Sequence, residues 1–300
     1  MGVMIEGRFS AEDPGPSTDE HGRFVRAKAP LTEAPPGDAA PGDLHLFAAW
    51  NCPWAHRVLL TRAILGLDEM TVSYALPRRT EQGWVFAEEP LLRATAMHEV
   101  YAAGVDAYTG RITVPVLWHK PSGRALNNES AEIVRMLGDL FAPGRLVPDD
   151  KRAEIDEWND LIHRAVNNGV YRAGFAETQE AYEEAAREVF AALDQIDEKL
   201  GRTRYLTGDA LTEADIRLFP TLVRFDVAYH GAFKCNLKRL IDYPNLWPYA
   251  RDLYQTPGAA ETVRFDIYKA GYYSPSPKRN PLGIVPIGPE VDWTAPHGRA

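Results

Sequence analysis

A short apolar run that ends in a Cys-Pro pair is the feature that most limits how this chain can fold. Residues 45–50 are apolar and follow a Pro-Gly pair, a pattern typical of a buried strand. Cys52 and Pro53 come next, and proline is favoured in the first turn of a helix because its missing N–H is not needed there. Apolar positions then recur with helical spacing over residues 55–65. The sequence therefore predicts that Cys52 lies between the end of a strand and the start of a helix.

Strands and helices alternate in the first half of the chain. Further strands are expected at residues 71–76, 112–118 and 124–126, and a helix that opens at Asn127-Asn-Glu-Ser130 is expected to end near residue 140. Residues 77–110 look irregular, which is long for a structureless loop and suggests a functional insert. Pro115 falls inside the third strand, where proline cannot donate to the ladder. Its position must therefore be an edge, a bulge or a cis turn.

After residue 141 the regular pattern is helical. Helices are expected at about residues 151–168, 177–200 and 212–230, with shorter helix near 246–255. Thr212 and Asp215 have the spacing of a capping box. The predicted organisation is an N-terminal arm (1–42), an α/β domain (43–141), a linker (142–150), a helical domain (151–270) and an extended C-terminal tail packed on the body (271–300).

Length and charge exclude several classes of protein. At about 150 residues per domain, 300 residues suggest two domains. The formal charge of −9 argues against binding to nucleic acid or to an anionic membrane surface. No apolar run approaches the roughly 18 residues that span a bilayer, and the start lacks a secretory signal, so we expect a cytoplasmic protein. The eight histidines are scattered without metal-ligand spacing, and no metal is expected.

Cys52 is the strongest candidate for chemistry. A thiolate at a helix start faces unpaired backbone N–H groups and the positive end of the helix dipole, which lower the pKa of a thiol. Arg57 and Arg62 add positive charge nearby. Ala55 occupies the place of the second cysteine of a Cys-x-x-Cys motif, so a mixed disulfide at Cys52 would need an outside thiol to resolve it. The alternative is a buried structural cysteine.

Two further motifs carry possible binding roles. In thioredoxin-like folds a cis proline brings backbone N–H and C=O groups beside the active thiol, where they pair with an extended peptide. Pro115 is the candidate for this role, and an edge-strand proline is the alternative. Asn128, Glu129 and Ser130 open a helix, where Ser and backbone N–H groups bind a carboxylate and Glu binds an ammonium group. The alternative for this segment is simple helix capping.

A reactive single thiol, a strand-like edge and an amino-acid clamp together describe a glutathione site. Trp84 would complete it by packing on the peptide, and Arg111 by pairing with the glycyl carboxylate. Ordinary packing is the alternative for Trp84, and a solvated charge at a strand end is the alternative for Arg111.

Several segments between residues 43 and 290 match the motifs of one known family. They are Asn51-Cys-Pro-Trp-Ala-His-Arg57, Thr113-Val-Pro-Val-Leu-Trp118, Asn127-Asn-Glu-Ser-Ala-Glu-Ile-Val-Arg-Met136, Val166-Asn-Asn-Gly-Val-Tyr-Arg-Ala-Gly-Phe175, Leu211-Thr-Glu-Ala-Asp-Ile-Arg217, and the tail with Gly271-Tyr-Tyr, Asn280-Pro281 and Ile284-Val-Pro. Through these segments the chain resembles the glutathionyl-hydroquinone reductases, which are the Xi class of glutathione transferases. The Cys-Pro-Trp-Ala-His-Arg run and the Tyr-Tyr tail are its most specific parts. Trp50-Asn51 replaces the small residues expected before the cysteine, and the insert at 77–110 aligns loosely.

The resemblance implies a thioredoxin-like, glutathione-binding domain at 43–141 followed by an all-helical domain, and a homodimer. It implies that Cys52 is the nucleophile. The glutathione-binding residues expected from the resemblance and the motifs are Trp84, Arg111, Val114, Pro115, Glu129 and Ser130. The resemblance also places tyrosines over the aromatic substrate, by motif Tyr171 and Tyr272 as catalytic residues, with Tyr273 beside them.

The expected activity is the glutathione-dependent reduction of S-glutathionyl-hydroquinones through a Cys52–glutathione mixed disulfide, with release of oxidised glutathione. One alternative is an omega-like thiol transferase or dehydroascorbate reductase, which shares Cys52 but does not need the tyrosines. Another is a non-catalytic glutathione-binding scaffold. A conjugating transferase is disfavoured because a cysteine at this position favours thiol exchange.

Overall fold

The computed structural model describes residues 2–12, 17–27 and 29–299, which separate into two units. The described part of the first unit is 2–12, 27 and 29–141, and that of the second is 17–26 and 142–299. The strands are β1 (Val3–Ile5), β2 (Arg8–Ser10), β3 (Ser17–Thr18), β4 (Phe24–Val25), β5 (Leu44–Ala49), β6 (Thr71–Ala75), β7 (Gly110–Arg111), β8 (Val116–His119) and β9 (Arg124–Asn127). The α-helices are α1 (Pro53–Leu65), α2 (Met97–Gly104), α3 (Ser130–Phe141), α4 (Arg152–Leu161), α5 (Gly169–Gly174), α6 (Gln179–Leu200), α7 (Glu213–Arg224), α8 (His230–Ala232), α9 (Leu246–Tyr254) and α10 (Phe265–Tyr272).

The fully buried strand β5 organises the first unit. It pairs in parallel with β6 and antiparallel with β8, and β8 pairs antiparallel with β9, so the sheet order is β6-β5-β8-β9. Helix α1 connects β5 to β6, and α3 follows β9 and contacts α1. This β-α-β and β-β-α order confirms the predicted thioredoxin-like fold.

The second unit is helical in its described residues, apart from the hairpin of β3 and β4. This confirms the predicted helical domain. The capping box at the start of α7 is also confirmed: the Thr212 N–H donates to the Asp215 carboxylate at 2.8 Å. The Tyr249 hydroxyl donates to the same carboxylate at 2.7 Å, which ties α9 to the start of α7.

Several expectations about local structure were wrong. The insert at 77–110 contains α2, whose Met97, Val100 and Tyr101 are buried in the core, so its apolar face makes it part of the fold. The strand expected at 112–118 begins only at Val116, after the proline that cannot donate to a ladder.

The helical domain also departs from the expected pattern. Two helices expected to be continuous each run into a π-helical segment, at Ile162–Asn167 and Phe225–Tyr229. At the start of the expected extended tail, α10 continues to Tyr272. Within the expected N-terminal arm, the described residues form four short strands, while residues 1, 13–16 and 28 lie outside the described chain.

A buried polar network connects β5, β6 and the insert. His45 lies 2.7 Å through Nδ1 from Thr71 Oγ1 and 3.0 Å through Nε2 from Ser73 Oγ. Ser73 donates its hydroxyl hydrogen to Glu89 at 2.9 Å, so its oxygen accepts from His45 Nε2–H. Burial lowers the pKa of His45 to about 4.

We predict that the free energy of unfolding rises with pH between about 4 and 6.5 through His45. In this window the unfolded chain binds a proton at His45 and the folded chain does not, so stability is lost as the pH falls. The contribution is at most about 3 kcal/mol. Urea unfolding of the native chain and of His45→Gln across this range measures it, and equal pH slopes for the two proteins would contradict the prediction.

Candidate active site

Cys52 is the N-cap residue of α1, which confirms its predicted position between a strand and a helix. Its backbone is extended (φ −82°, ψ 116°), and its N–H donates to the carbonyl of Ala49 at 3.0 Å. Its own carbonyl accepts the N–H of His56 at 3.0 Å and so closes the first turn. The side chain is partly exposed, and the residue directly precedes the N–H groups that a helix start leaves without intrahelical partners.

The cysteine thiol contacts the residue before the predicted proline. Cys52 Sγ lies 3.4 Å from the carbonyl oxygen of Val114. The Val114–Pro115 peptide bond is cis, one of the three alternatives that the sequence left open. Both residues are buried, so backbone atoms of this turn lie beside the thiol.

Arg57 connects α1, the helix that begins directly after Cys52, to α3. Its side chain is buried, and Nη1 donates to Ser130 Oγ at 3.3 Å. The guanidinium carbon lies 4.6 Å from the centre of the Trp54 ring. Arg57 thus brings positive charge to the start of both helices, whereas Arg62 donates to the carbonyl of Met70 beyond the other end of α1. No sequence pattern indicates the contact between Arg57 and Ser130, because it joins residues far apart in the chain.

Local hydrogen bonds hold the segment proposed as an amino-acid clamp. The Asn127 side chain accepts the N–H of Glu129 at 2.8 Å, and the Glu129 carboxylate accepts the N–H of Ala131 at 3.2 Å. Asn128 donates to the hydroxyl of Tyr101 at 2.9 Å. These bonds show the capping and packing roles of the segment, and a ligand role for the partly exposed Glu129 and for Ser130 stays a prediction.

Trp84 and Arg111 lie in different surroundings in the same unit. Trp84 is 4% exposed and forms part of the core, with the guanidinium carbon of Arg79 4.7 Å from its ring centre. Arg111 belongs to β7 and is half-buried opposite Val3 of β1. Glutathione contacts at Trp84 and Arg111 remain predictions.

In the second unit, the hydroxyls of three tyrosines form a hydrogen-bonded chain. Tyr171 of α5 and Tyr272 of α10 have their hydroxyl oxygens 2.8 Å apart. Tyr229 ends the second π-helical segment, and its hydroxyl lies 3.0 Å from that of Tyr272. Burial raises the pKa of Tyr229 and of Tyr272 well above the usual value. Tyr229 was missed because nothing in the periodicity shows a π-helical turn, although such turns are frequent at functional sites.

Tyr273, the less certain neighbour, lies next to this chain in sequence. Its hydroxyl reaches the backbone at Gly231, where a Cβ would collide with it. Burial also raises the pKa of Tyr273.

Aromatic rings and arginines surround the tyrosine chain, among them the fully buried Arg224. The ring centres of Phe233 and Tyr171 are 5.2 Å apart, and the guanidinium carbon of Arg279 lies 4.2 Å from the ring centre of Phe175. Arg26 places its guanidinium carbon 4.9 Å from the centre of the Tyr171 ring, and its Nε donates to Asn168 at 2.7 Å. The N-terminal segment thus supplies a cation to the predicted substrate tyrosine, which no sequence motif indicated.

The two cysteines of the chain, both in its described part, form no disulfide and differ in their surroundings. Cys235 is fully buried, and burial raises the pKa of its thiol to about 12. Only Cys52 combines partial exposure with a helix start.

Membrane spans and metal sites were searched in the same residues. Among the described residues, no helix is long and apolar enough to cross a membrane. No cluster of three or more His, Cys, Asp or Glu side chains in these ranges has the arrangement of a metal site.

The fold and the thiol site define a glutathione transferase, and two family models agree. The model of the glutathione S-transferase N-terminal domain matches residues 51–140, and that of the C-terminal domain matches residues 179–252. The chain is 46% identical to the glutathionyl-hydroquinone reductase PcpF of Sphingobium chlorophenolicum, over 96% of each protein. It is 42% identical to the glutathionyl-hydroquinone reductase YqjG of Escherichia coli K12, over 100% of this chain and 98% of that protein.

Solved structures of related transferases are also similar to this chain over nearly its whole length. A Xi-class glutathione transferase of Natrialba magadii superposes with a TM-score of 0.89 at 39% identity, over 100% of this chain and 96% of the other. The glutathione-bound structure of YqjG has a TM-score of 0.87 at 41% identity, over 99% and 98% of the two chains. The chain therefore belongs to the glutathionyl-hydroquinone reductases, the Xi class of glutathione transferases, as its motifs indicated.

We predict that iodoacetamide alkylates Cys52 and spares Cys235 in the folded chain. Cys52 is partly exposed, whereas Cys235 is buried and stays protonated up to high pH. Mass spectrometry of proteolytic peptides measures both sites, and Cys52→Ala is the control that should take up no label. Labelling of Cys235 in the folded Cys52→Ala variant would contradict the prediction.

Proposed function

We propose that this chain reduces S-glutathionyl-hydroquinones to hydroquinones with glutathione, and that Cys52 is the nucleophile. The observation that carries the proposal is the partly exposed Cys52 thiol at the start of α1, in a chain closely related to two glutathionyl-hydroquinone reductases. A thiol at a helix start is suited to react as a thiolate at neutral pH.

In the first half-reaction the Cys52 thiolate attacks the sulfur that joins glutathione to the ring. The new bond is the S–S bond of a Cys52–glutathione mixed disulfide, and the bond that breaks is the ring C–S bond. The ring carbon is a poor leaving group unless it has first been protonated, as in a keto tautomer of the ring. The C–S electron pair then enters the ring, which becomes the hydroquinone once a ring oxygen takes up a proton.

In the second half-reaction the thiolate of another glutathione attacks the mixed disulfide. Oxidised glutathione leaves and the Cys52 thiolate is restored. Two glutathione-linked steps at one thiol give ping-pong kinetics. In sum, one glutathionyl-hydroquinone and one glutathione give one hydroquinone and one oxidised glutathione. The ring carbon is reduced and the two sulfurs are oxidised.

Glutathione is proposed to lie along the first unit. The cis turn at Val114 and Pro115 offers backbone groups beside the thiol, as an added strand would require. The start of α3, with Glu129 and Ser130, suits the amino and carboxylate groups of the γ-glutamyl residue. Trp84 and Arg111 are proposed to contact the rest of the peptide.

Tyr171 and Tyr272 are proposed to bind the oxygens of the hydroquinone ring, and Tyr273 to contribute to the same aromatic pocket. The partial exposure of all three side chains supports this role. Hydrogen bonds to the ring oxygens favour the keto tautomer that the first step requires.

The resemblance supports two further proposals: the chain acts as a homodimer, and it works in the cytoplasm. We also propose the domain limits expected from the sequence, which are an arm at 1–42, the thioredoxin-like domain at 43–141, a linker at 142–150, the helical domain at 151–270 and a tail at 271–300. Light scattering of the purified chain tests the first of these.

Turnover of glutathionyl-menadiol with glutathione tests the reaction, and we expect the native chain to be active. Cys52→Ala should lose at least about 1,000-fold in kcat, since no other thiol is suited to form the mixed disulfide. Cys235→Ala is the matched control and should retain activity. Glutathione binding without turnover by the native chain would instead favour a scaffold.

The tyrosines separate this activity from that of an omega-like thiol transferase. Tyr171→Phe and Tyr272→Phe should each lower kcat for glutathionyl-menadiol by about 100-fold, because proton transfer to the ring is impaired. Reduction of a glutathione mixed disulfide should be unchanged, since its leaving group is a thiolate that needs no ring protonation. Equal losses with both substrates would contradict the assigned role of the tyrosines.

A further inference from the structure

Ser130 has a buried O–H group at the first position of α3, where it is 2% exposed. Its oxygen accepts the hydrogen bond that Nη1 of Arg57 donates at 3.3 Å. A guanidinium can only donate, so the serine uses its oxygen and not its hydrogen in this bond. Among the residues that the structure describes, none accepts the hydroxyl hydrogen of Ser130. The start of α3 therefore has a buried O–H donor that the protein itself does not use.

A carboxylate is the acceptor that suits this O–H group. A buried donor without an acceptor is unfavourable, so a ligand that supplies the acceptor is bound more tightly. The first N–H groups of a helix and its dipole also favour an anion at this place. An O–H group that donates to a carboxylate forms a charge-assisted hydrogen bond, which is stronger than a neutral one. In the proposed function this anion is the α-carboxylate of the γ-glutamyl residue of glutathione.

Burial and packing hold the guanidinium of Arg57 beside Ser130. The Arg57 side chain is 1% exposed, and its guanidinium carbon lies 4.6 Å from the centre of the Trp54 ring. The helices α1 and α3 that carry Arg57 and Ser130 contact each other. A positive charge in the interior is screened less than one in water, so it adds to the attraction of the helix start for an anion.

We propose that Arg57 is a positioning residue for glutathione: by donating to the oxygen of Ser130, it turns the serine O–H towards the γ-glutamyl carboxylate. This inference rests on the proposed function and adds to it a residue that acts on glutathione through Ser130. The donors follow one another from Arg57 to Ser130 and from Ser130 to the carboxylate, and each hydrogen bond polarises the next. Loss of Arg57 should therefore weaken the binding of glutathione and leave the chemistry at Cys52 intact.

Calorimetric titration with two peptides under reducing conditions tests the proposal in the native chain and in Arg57→Met. One peptide is glutathione, and the other is γ-aminobutyryl-cysteinylglycine, which is glutathione without the α-carboxylate of its γ-glutamyl residue. We expect the native chain to bind glutathione about 30-fold more tightly than this analogue. Arg57→Met should reduce the preference to about threefold, because the hydrogen bond to the carboxylate is weakened.

Arg62→Met is the matched control on the same helix. Arg62 donates to the carbonyl of Met70 beyond the other end of α1, so its loss should leave the preference for glutathione within about twofold of native. Arg57→Lys is the second test variant, because it keeps a cation in the core if Arg57→Met does not fold. Lysine lacks the guanidinium fork and reaches less far, so Arg57→Lys should lower the preference about threefold. Thermal melting shows which variants are folded.

A double-mutant cycle shows whether Arg57 acts through Ser130. Ser130→Ala should lower the preference for glutathione about tenfold, because the O–H donor is lost. In the Ser130→Ala background, Arg57→Met should lower it by less than about twofold further. In turnover of glutathionyl-menadiol, Arg57→Met should raise the KM for glutathione about tenfold and leave kcat within about twofold of native, since only binding is affected.

The outcomes separate this inference from the proposed function. A native chain that binds glutathione but does not reduce glutathionyl-menadiol overturns the proposed function, whereas the titrations decide the inference by themselves. A native chain that does not bind glutathione overturns both.

Three results of the titrations overturn the inference alone. They are equal binding of the two peptides by the native chain, a native preference in the folded Arg57 variants, and losses that multiply in the double variant. An equal loss of affinity for both peptides in Arg57→Met also overturns it, because the role of Arg57 would then be structural.

Discussion

The packing of one buried strand determines where the reactive groups of the first unit lie. All six residues of β5 are buried between β6 and β8, and its antiparallel register with β8 sets Phe47 opposite Val116. Along the chain, Ala49 comes two residues after Phe47, and Val114 comes two residues before Val116. The Cys52 N–H then donates to the Ala49 carbonyl, which turns the chain back so that Sγ comes within 3.4 Å of the Val114 carbonyl. The pairing of β5 with β8 thus brings the ends of the two segments close together, and the turn at Cys52 completes the contact between the thiol and the cis turn.

The sequence predicts those parts of this arrangement that depend on local chemistry. A proline in the first turn marks the helix start after Cys52, and the missing N–H of Pro115 rules out an ordinary strand at that point. The sequence does not predict contacts between segments that are far apart in the chain. The hydrogen bond from Arg57 to Ser130 joins residues 73 positions apart, and α2 is hidden in the insert because its apolar face is defined only by the core on which it packs.

The helical unit shows a different limit of sequence analysis. The periodicity of apolar residues identifies the helices, but a π-helical turn inserts an extra residue and rotates the following side chains to another face. One such segment precedes α5, which carries Tyr171, and another ends at Tyr229. Motifs therefore identified Tyr171 and Tyr272 but not Tyr229. Arg26 was missed for another reason, since no motif includes it and its contacts with Tyr171 and Asn168 join segments far apart in the chain.

The two units contain chemically different groups: the first contains the Cys52 thiol, and the second contains the hydroxyls of Tyr171, Tyr229 and Tyr272. This difference matters for which reactions a changed chain could still perform. Exchange between a thiolate and a disulfide needs only a nucleophile and a sulfur leaving group, the roles proposed for Cys52 and glutathione. Breaking a bond from sulfur to an aromatic carbon also needs a proton for the ring, and the hydroxyls suited to supply it belong to the second unit. Under the proposed function, changes among the tyrosines should therefore remove hydroquinone reduction while leaving thiol exchange intact.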